Sequence, residues 1–183
     1  MQSRWRAIGL SVGAAVIVIA VARLWIVDFY RQSSRSMSPL IAPGEVFWGN
    51  KVAVRFSGGF VRGDVIIFKQ PVEDRTEFWV MRIVGLPGDI IETAGVKVSI
   101  NGNPIAHTTI GSVDGNLRIL EKIDGRSHEI LVSQAEAPIS RNVVVKVPAD
   151  SFFVMGDNRS LAFDSRYIGT IPRENLVALC FRR

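Results

Sequence analysis

One cysteine, Cys180, and two histidines, His107 and His128, are all that this 183-residue chain offers of those two residue types. A lone cysteine excludes an intrachain disulfide. No group of His, Cys, Asp and Glu has metal-ligand spacing, and no glycine-rich phosphate loop is present. Neither a metal nor an organic cofactor is therefore expected. Cys180 sits in the apolar stretch Val177–Phe181 and reads as a small buried hydrophobe, not a nucleophile. Both histidines lie among polar turn residues and read as surface groups. The net charge is +5, yet no run of five or more basic residues occurs. That scatter argues against nucleic acid and for an anionic membrane surface as partner. Internal repeats and low-complexity segments are missing. With 48% hydrophobic residues the chain is too apolar for disorder and too polar for several membrane spans.

What the chain does have begins with an apolar N-terminus. Ala7 to Ala22 carries no charge, and Leu24 to Val27 extends the run past Arg23. Together these make about 20 residues, enough for one helix across a hydrocarbon core. Arg23 could snorkel to the interface, where Trp25 and Tyr30 also fit. No small-x-small site follows, so the segment reads as an uncleaved anchor over residues 1–30. Arg4 and Arg6 favour a cytoplasmic N-terminus, although Arg31 and Arg35 flank the far side.

From residue 45 the pattern becomes short β-branched and aromatic runs between turn residues. Glu45–Trp48, Lys51–Val54, Asp64–Phe68 and Phe78–Val84 lead a series that ends at Phe152–Met155 and Val177–Phe181. Asn101-Gly102-Asn103 predicts a hairpin turn. Pro172–Leu176 suits one short helical turn. The fold class is thus mostly β, a coiled antiparallel sheet or open barrel. Residues 31–183 form the β-rich domain, with an excursion at about 93–148 that carries the weakest motifs.

Three blocks follow the anchor in order: Ser34-Arg35-Ser36-Met37-Ser38-Pro39, then Arg82-Ile83-Val84-Gly85-Leu86-Pro87-Gly88-Asp89, then Gly156-Asp157-Asn158-Arg159 with Asp164-Ser165-Arg166. Peptide hydrolysis needs a nucleophile, a proton acceptor and donors for the oxyanion. A serine in a proline-stiffened loop just past an anchor can supply the first at the bilayer surface. Together the blocks resemble the type I signal peptidases, membrane-anchored enzymes with a serine nucleophile and a lysine base. The resemblance implies that Ser36 attacks and that Ser34 and the Ser36 amide hold the oxyanion. It implies that Arg62–Lys69 lines the substrate groove, and that Asp164 and Arg166 form a buried pair with Arg82 as a third member; Asp157 belongs to the same supporting block. It also implies preprotein or signal-peptide substrates, a lipid bilayer, and a catalytic domain outside the bacterial cytoplasmic membrane.

Two positions depart from the family. Met81 stands where the lysine base belongs, directly before Arg82, and Ala162 stands where a serine would orient that lysine. A thioether neither accepts a proton near neutral pH nor returns one. Lys69 is the candidate substitute, because its strand is expected to pair with the strand of Met81. Two readings stay open: a weakened signal peptidase I-like endopeptidase, with pilus-type maturation peptidases as near relatives, or a pseudo-peptidase that binds exported or membrane peptides. A self-cleaving repressor is disfavoured by the anchor and by the lack of a DNA-binding helix pair.

Overall fold

A computed structural model describes residues 2–56, 59–135 and 141–181, with the side chains of 2–10, 22–24 and 56 outside that set. The chain opens with helix α1, Gln2–Trp25, which contains no proline. Strands β1 (Val27–Arg31) and β2 (Val46–Asn50) follow, then helix α2 (Lys51–Phe56). Next come β3 (Val65–Val72), β4 (Arg75–Gly85), β5 (Ile90–Ala94), β6 (Lys97–Ile100) and β7 (Asn103–Pro104). β8 (Ala106–Val113), β9 (Asn116–Ile123), β10 (Arg126–Ser133) and β11 (Val144–Lys146) make up the middle. β12 (Ser151–Met155), helix α3 (Ser165–Ile168), β13 (Ile171–Pro172), a 3₁₀ turn at Arg173–Asn175 and β14 (Leu176–Phe181) complete the chain.

The expected antiparallel β architecture is the one observed. A seven-stranded sheet runs β1-β2-β14-β3-β4-β12-β13, beside a four-stranded sheet β11-β5-β6-β7 and a three-stranded sheet β10-β9-β8. β-Branched and aromatic residues dominate β3, β4 and β12, and their alternate side chains fill two clusters. Ile66, Phe68, Met81, Ile83, Phe152 and Val154 pack on one face. Met37, Ile41, Phe47, Val65, Ile67, Val80 and Ala178 pack on the other. Each fully buried Ile or Phe contributes about 1.5–3 kcal/mol. The Asn101-Gly102 turn joins β6 to β7, with both residues at positive φ (52° and 78°) as a primed hairpin turn requires.

Several expectations need correction. Lys51–Val54, read as a strand, is the first part of α2. The Asn50 side chain caps that helix, its Oδ1 accepting from Val52 N at 2.9 Å and Ala53 N at 3.2 Å. The apolar N-terminal segment is helical only to Trp25. Val27–Arg31 pairs instead with β2, Phe29 opposite Trp48. Among the described residues no helix is long and apolar enough to cross a membrane. The orientation expected from Arg4 and Arg6 and the snorkelling expected of Arg23 rest on side chains outside the described residues. Cys180 is only half-buried, on β14.

Candidate active site

The loop after β1 is closed at its base by Gln32 N donating to Glu45 O at 2.9 Å and Gly44 N to Gln32 O at 2.7 Å. Met37 plugs this loop into the apolar cluster behind it and is completely buried. Ser36, next to that plug, is held by its backbone carbonyl, which accepts Asn158 N at 2.9 Å. Its hydroxyl thereby opens into a groove of about 650 Å³. Tyr30, Ser34, Phe78, Trp79 and Phe163 are among the groove's lining residues.

Among the described residues Ser36 Oγ has two hydrogen-bond partners. Ser34 Oγ lies at 2.9 Å, and Gln32 Nε2 donates from 3.2 Å. Gln32 Nε2 also reaches Ser34 Oγ at 3.3 Å, and Ser36 N donates to Ser34 Oγ at the same distance. A carboxamide nitrogen and a hydroxyl are both poor proton acceptors. Tyr30, also in the groove, keeps its phenolic proton: burial and then the Asp28 charge push its pKa up to about 12.

Met81 is buried on β4, opposite Ile66 on β3. Adjacent strand residues point to opposite faces: Val80 packs with Met37 and Ile67, while Met81 packs with Ile66, Phe68 and Val154. β3 and β4 do pair, as the Lys69 expectation required, but Lys69 stands opposite Phe78. It is exposed, absent from the groove lining, and not bonded to Ser36. It lies three positions from Ile66, the neighbour of Met81, which is roughly 10 Å along a strand and on the opposite face.

The charged residues form two separate pairs. Arg82 grips Asp157 through Nε–Oδ1 at 2.7 Å and Nη2–Oδ2 at 2.6 Å, and its Nη1 donates to Gly63 O at 2.7 Å. Arg166 grips Asp164 at 2.8 Å through both contacts, and Asp164 Oδ2 accepts Gly156 N at 3.1 Å. Arg82 thus serves Asp157 and is no third member of the Asp164 pair. Both pairs are buried and stiffen the segment that touches Ser36. Ala162 is wholly buried against Gly156, where an added Cβ would come within 2.4 Å of it.

Residues 5–182 match the family described as signal peptidase, peptidase S26. The chain belongs to that family. It is 30% identical to a signal peptidase I of Pseudomonas fluorescens over 94% of this chain and 70% of that one. It is 32% identical to a signal peptidase I P of Bacillus subtilis subsp. natto, over 86% and 76% of the two chains. A crystal structure of a signal peptidase I from Enterococcus faecalis V583 aligns with TM-score 0.42 at 26% identity, covering 66% of this chain and 96% of that one. This S26 member is accordingly a signal peptidase I-like serine peptidase, a hydrolase.

Sequence reasoning passed over three features of the site. Gln32 carries no motif signal, since a glutamine in a loop is chemically unremarked until its contacts are known. Asn158 was visible only as part of a block. His107 and His128, read as surface groups, stand against the buried carboxylate of Glu121 at 2.7 and 3.0 Å.

Proposed function

We propose that this chain is a signal peptidase I-type endopeptidase of the bacterial cell envelope, slowed by the loss of its base. Helix α1, Gln2–Trp25, anchors it at the cytoplasmic membrane, and the β-rich part that begins with β1 works on the outer side. An exported preprotein lies along the groove as an added strand. Ser36 Oγ attacks the scissile carbonyl carbon, and Ser34 Oγ and Ser36 N–H steady the oxyanion. The C–N bond breaks, the new amine leaves with a proton, and water then hydrolyses the serine ester. In the absence of an assigned base, the hydroxyl proton passes to solvent. A positioned base is worth roughly 10²–10⁴-fold, and turnover is reduced accordingly.

The observation that carries this reading is the Ser34–Ser36 hydroxyl pair, 2.9 Å apart at the groove wall. A second reading, a receptor that holds such peptides uncut, is favoured by Ser36 Oγ contacting, among the described residues, a hydroxyl and an amide and no base. One assay separates them: purified protein with a preprotein bearing a small-x-small site, followed by mass spectrometry. Slow cleavage at that site, abolished in Ser36→Ala, supports the peptidase. Binding with no product, unchanged in Ser36→Ala, supports the receptor. Failure to bind at all defeats both.

A further inference from the structure

One row of side chains crosses the three-stranded sheet. His107 on β8 and His128 on β10 both stand directly opposite Glu121 on β9. Glu121 is completely buried, and each of its oxygens is shared between an imidazole and a guanidinium. Oε2 meets His107 Nε2 at 2.7 Å and Arg159 Nη1 at 2.8 Å. Oε1 takes a very short bond from Arg159 Nη2. It also lies 3.0 Å from His128 Nε2, off the line a hydrogen bond requires. Burial opposes the charge on Glu121, but Arg159 and then the two imidazoles hold its carboxyl well below the usual carboxylate range. An ionised carboxylate only accepts, so a neutral His107 ring must carry its proton on Nε2.

Arg159 joins this row to the serine. Its Nε donates to Gly156 O at 3.1 Å and its N to Leu131 O at 2.9 Å, while Asp157 O accepts Leu131 N at 2.9 Å. Ser133 N donates to Ser160 Oγ at 2.9 Å. The neighbouring residue, Asn158, is the one whose N–H holds Ser36 O. The β9–β10 turn is tied down as well, by Arg62–Asp124 at 2.5 Å and Arg126–Asp64 at 2.8 Å. The sheet is therefore a brace bolted at one end to the segment that holds Ser36 and at the other to the loop before β3.

We propose that His107 and His128 are positioning residues that make this brace sensitive to protons. With both rings neutral, Glu121 belongs to Arg159, and the segment 156–160 keeps Ser36 in place. A ring that gains a proton becomes a second cation on one buried carboxylate and competes with Arg159 for it. The other charges facing Arg159 are Asp157 and Asp164, already bound to Arg82 and Arg166, so they cannot absorb the excess. Arg159 loosens, and with it the hold on Ser36. The consequence for ligand binding rests on the groove being a peptide site; the link from the histidines to Ser36 does not.

The test uses the full chain in detergent micelles. Binding of a fluorescent Ala-x-Ala peptide is measured by anisotropy from about pH 8 to pH 5, the range in which imidazoles change charge. Alongside, NMR follows the imidazole C–H signals and the Asn158 amide. The wild type should lose about tenfold in affinity on acidification, a typical coupling between sites, and His107→Gln/His128→Gln should stay nearly flat. The Asn158 amide should shift with the imidazole signals in the wild type and stand still in the variant. Equal pH dependence in both proteins, or an Asn158 signal that ignores the imidazoles, overturns the proposal. If the wild type binds no peptide at any pH, the groove reading fails and the Asn158 signal still decides this inference. If the double variant does not fold, His107→Gln, at the more open ring, and the wild-type NMR titration decide it. A merely structural role would lower the melting temperature without altering either pH profile.

Discussion

Gln32 donates its side-chain amide to the Oγ of Ser36 from 3.2 Å. A proton donor thus stands beside the proposed nucleophile, where a peptidase needs a proton acceptor. Gln32 is itself nearly buried, so the contact is partly screened from water. Replacing the donor by an acceptor of the same shape should change reactivity. Gln32→Glu sets a carboxylate within reach of the hydroxyl, and burial raises its basicity. Labelling of Ser36 by a fluorophosphonate probe should accelerate by roughly 10²-fold, the low end for a general base. A rate equal to wild type would mean that this contact does not limit Ser36.

Arg82 and Asp157 form a buried support of the groove, with two short contacts across a 75-residue separation in sequence. Neither charge has water to fall back on. Asp157→Ala leaves a buried guanidinium unpaired and should cost about 3–5 kcal/mol. Chemical denaturation reads this as a lowered midpoint with an unchanged slope. An Arg82→Leu/Asp157→Leu protein should regain much of the loss, because removing both charges removes the desolvation penalty with them.

Much of this architecture was legible because local signals agreed. Alternating β-branched runs placed β3, β4 and β12, and Asn101-Gly102 placed a hairpin. Lys51–Val54 misled because its valines favour strands, while the decisive factor was the Asn50 side chain, which caps two amides of the helix. The histidine row was half legible. Asp124-Gly125 is a two-residue hairpin turn, and counting outward from it sets His128 opposite Glu121. His107 could not be placed that way. Asp114-Gly115 alone would put Thr108 opposite Glu121, but the ladder shifts by one residue between Thr109 and Gly111. The site's motifs gave Ser34 and Ser36 their loop. No sequence signal showed that Gln32 would reach them, since a glutamine's role depends wholly on where the fold aims it.

Asp89 closes the turn after β4 and ties it to Arg62. Burial works against its charge, but the Arg62 hydrogen bonds, the Leu86 amide and the Asn101 side chain outweigh burial and lower its pKa. A carboxylate depressed in the folded state adds stability above its unfolded pKa. That contribution fades as pH falls through the folded value. The urea midpoint of wild type should therefore exceed that of Asp89→Asn at neutral pH. The two should converge on acidification below the ordinary carboxylate range. A gap that persists unchanged into strong acid would assign the effect to shape and not to charge.

Gly156 lies where the serine loop packs tightly on the segment that supports it. A Cβ there would lie 2.6 Å from Ser36 O as well as 2.4 Å from Ala162 Cβ. Backbone cannot yield as a flexible side chain can, so Gly156→Ala should destabilise by about 1–3 kcal/mol, as overpacking does. It should also push Ser36 out of line. Thermal melting and fluorophosphonate labelling measure the two effects separately, and a variant that melts and labels like wild type would show that the segment has slack.

Met81→Lys tests the proposal that a base missing from position 81 is what slows the enzyme. The site of Met81 is apolar and closed, walled by Ile66, Ile83 and Val154. An ammonium placed there is disfavoured by desolvation, so the lysine would be driven toward its neutral, basic form. If its amine reaches Ser36, preprotein cleavage should rise by about 10²–10⁴-fold. Ala162→Ser adds a hydroxyl at the position where the family resemblance expects the group that orients such an amine, and the double variant should exceed the single. The burial of Ala162 means that this oxygen must find its partner inside the site, and a base in place gives it one. No gain in either variant would carry a definite meaning: the face of β4 that holds Met81, opposite to the one that packs Met37 behind Ser36, does not deliver its side chain to the hydroxyl. The chain's departure from its family would then lie in the course of the serine loop as well as in one residue.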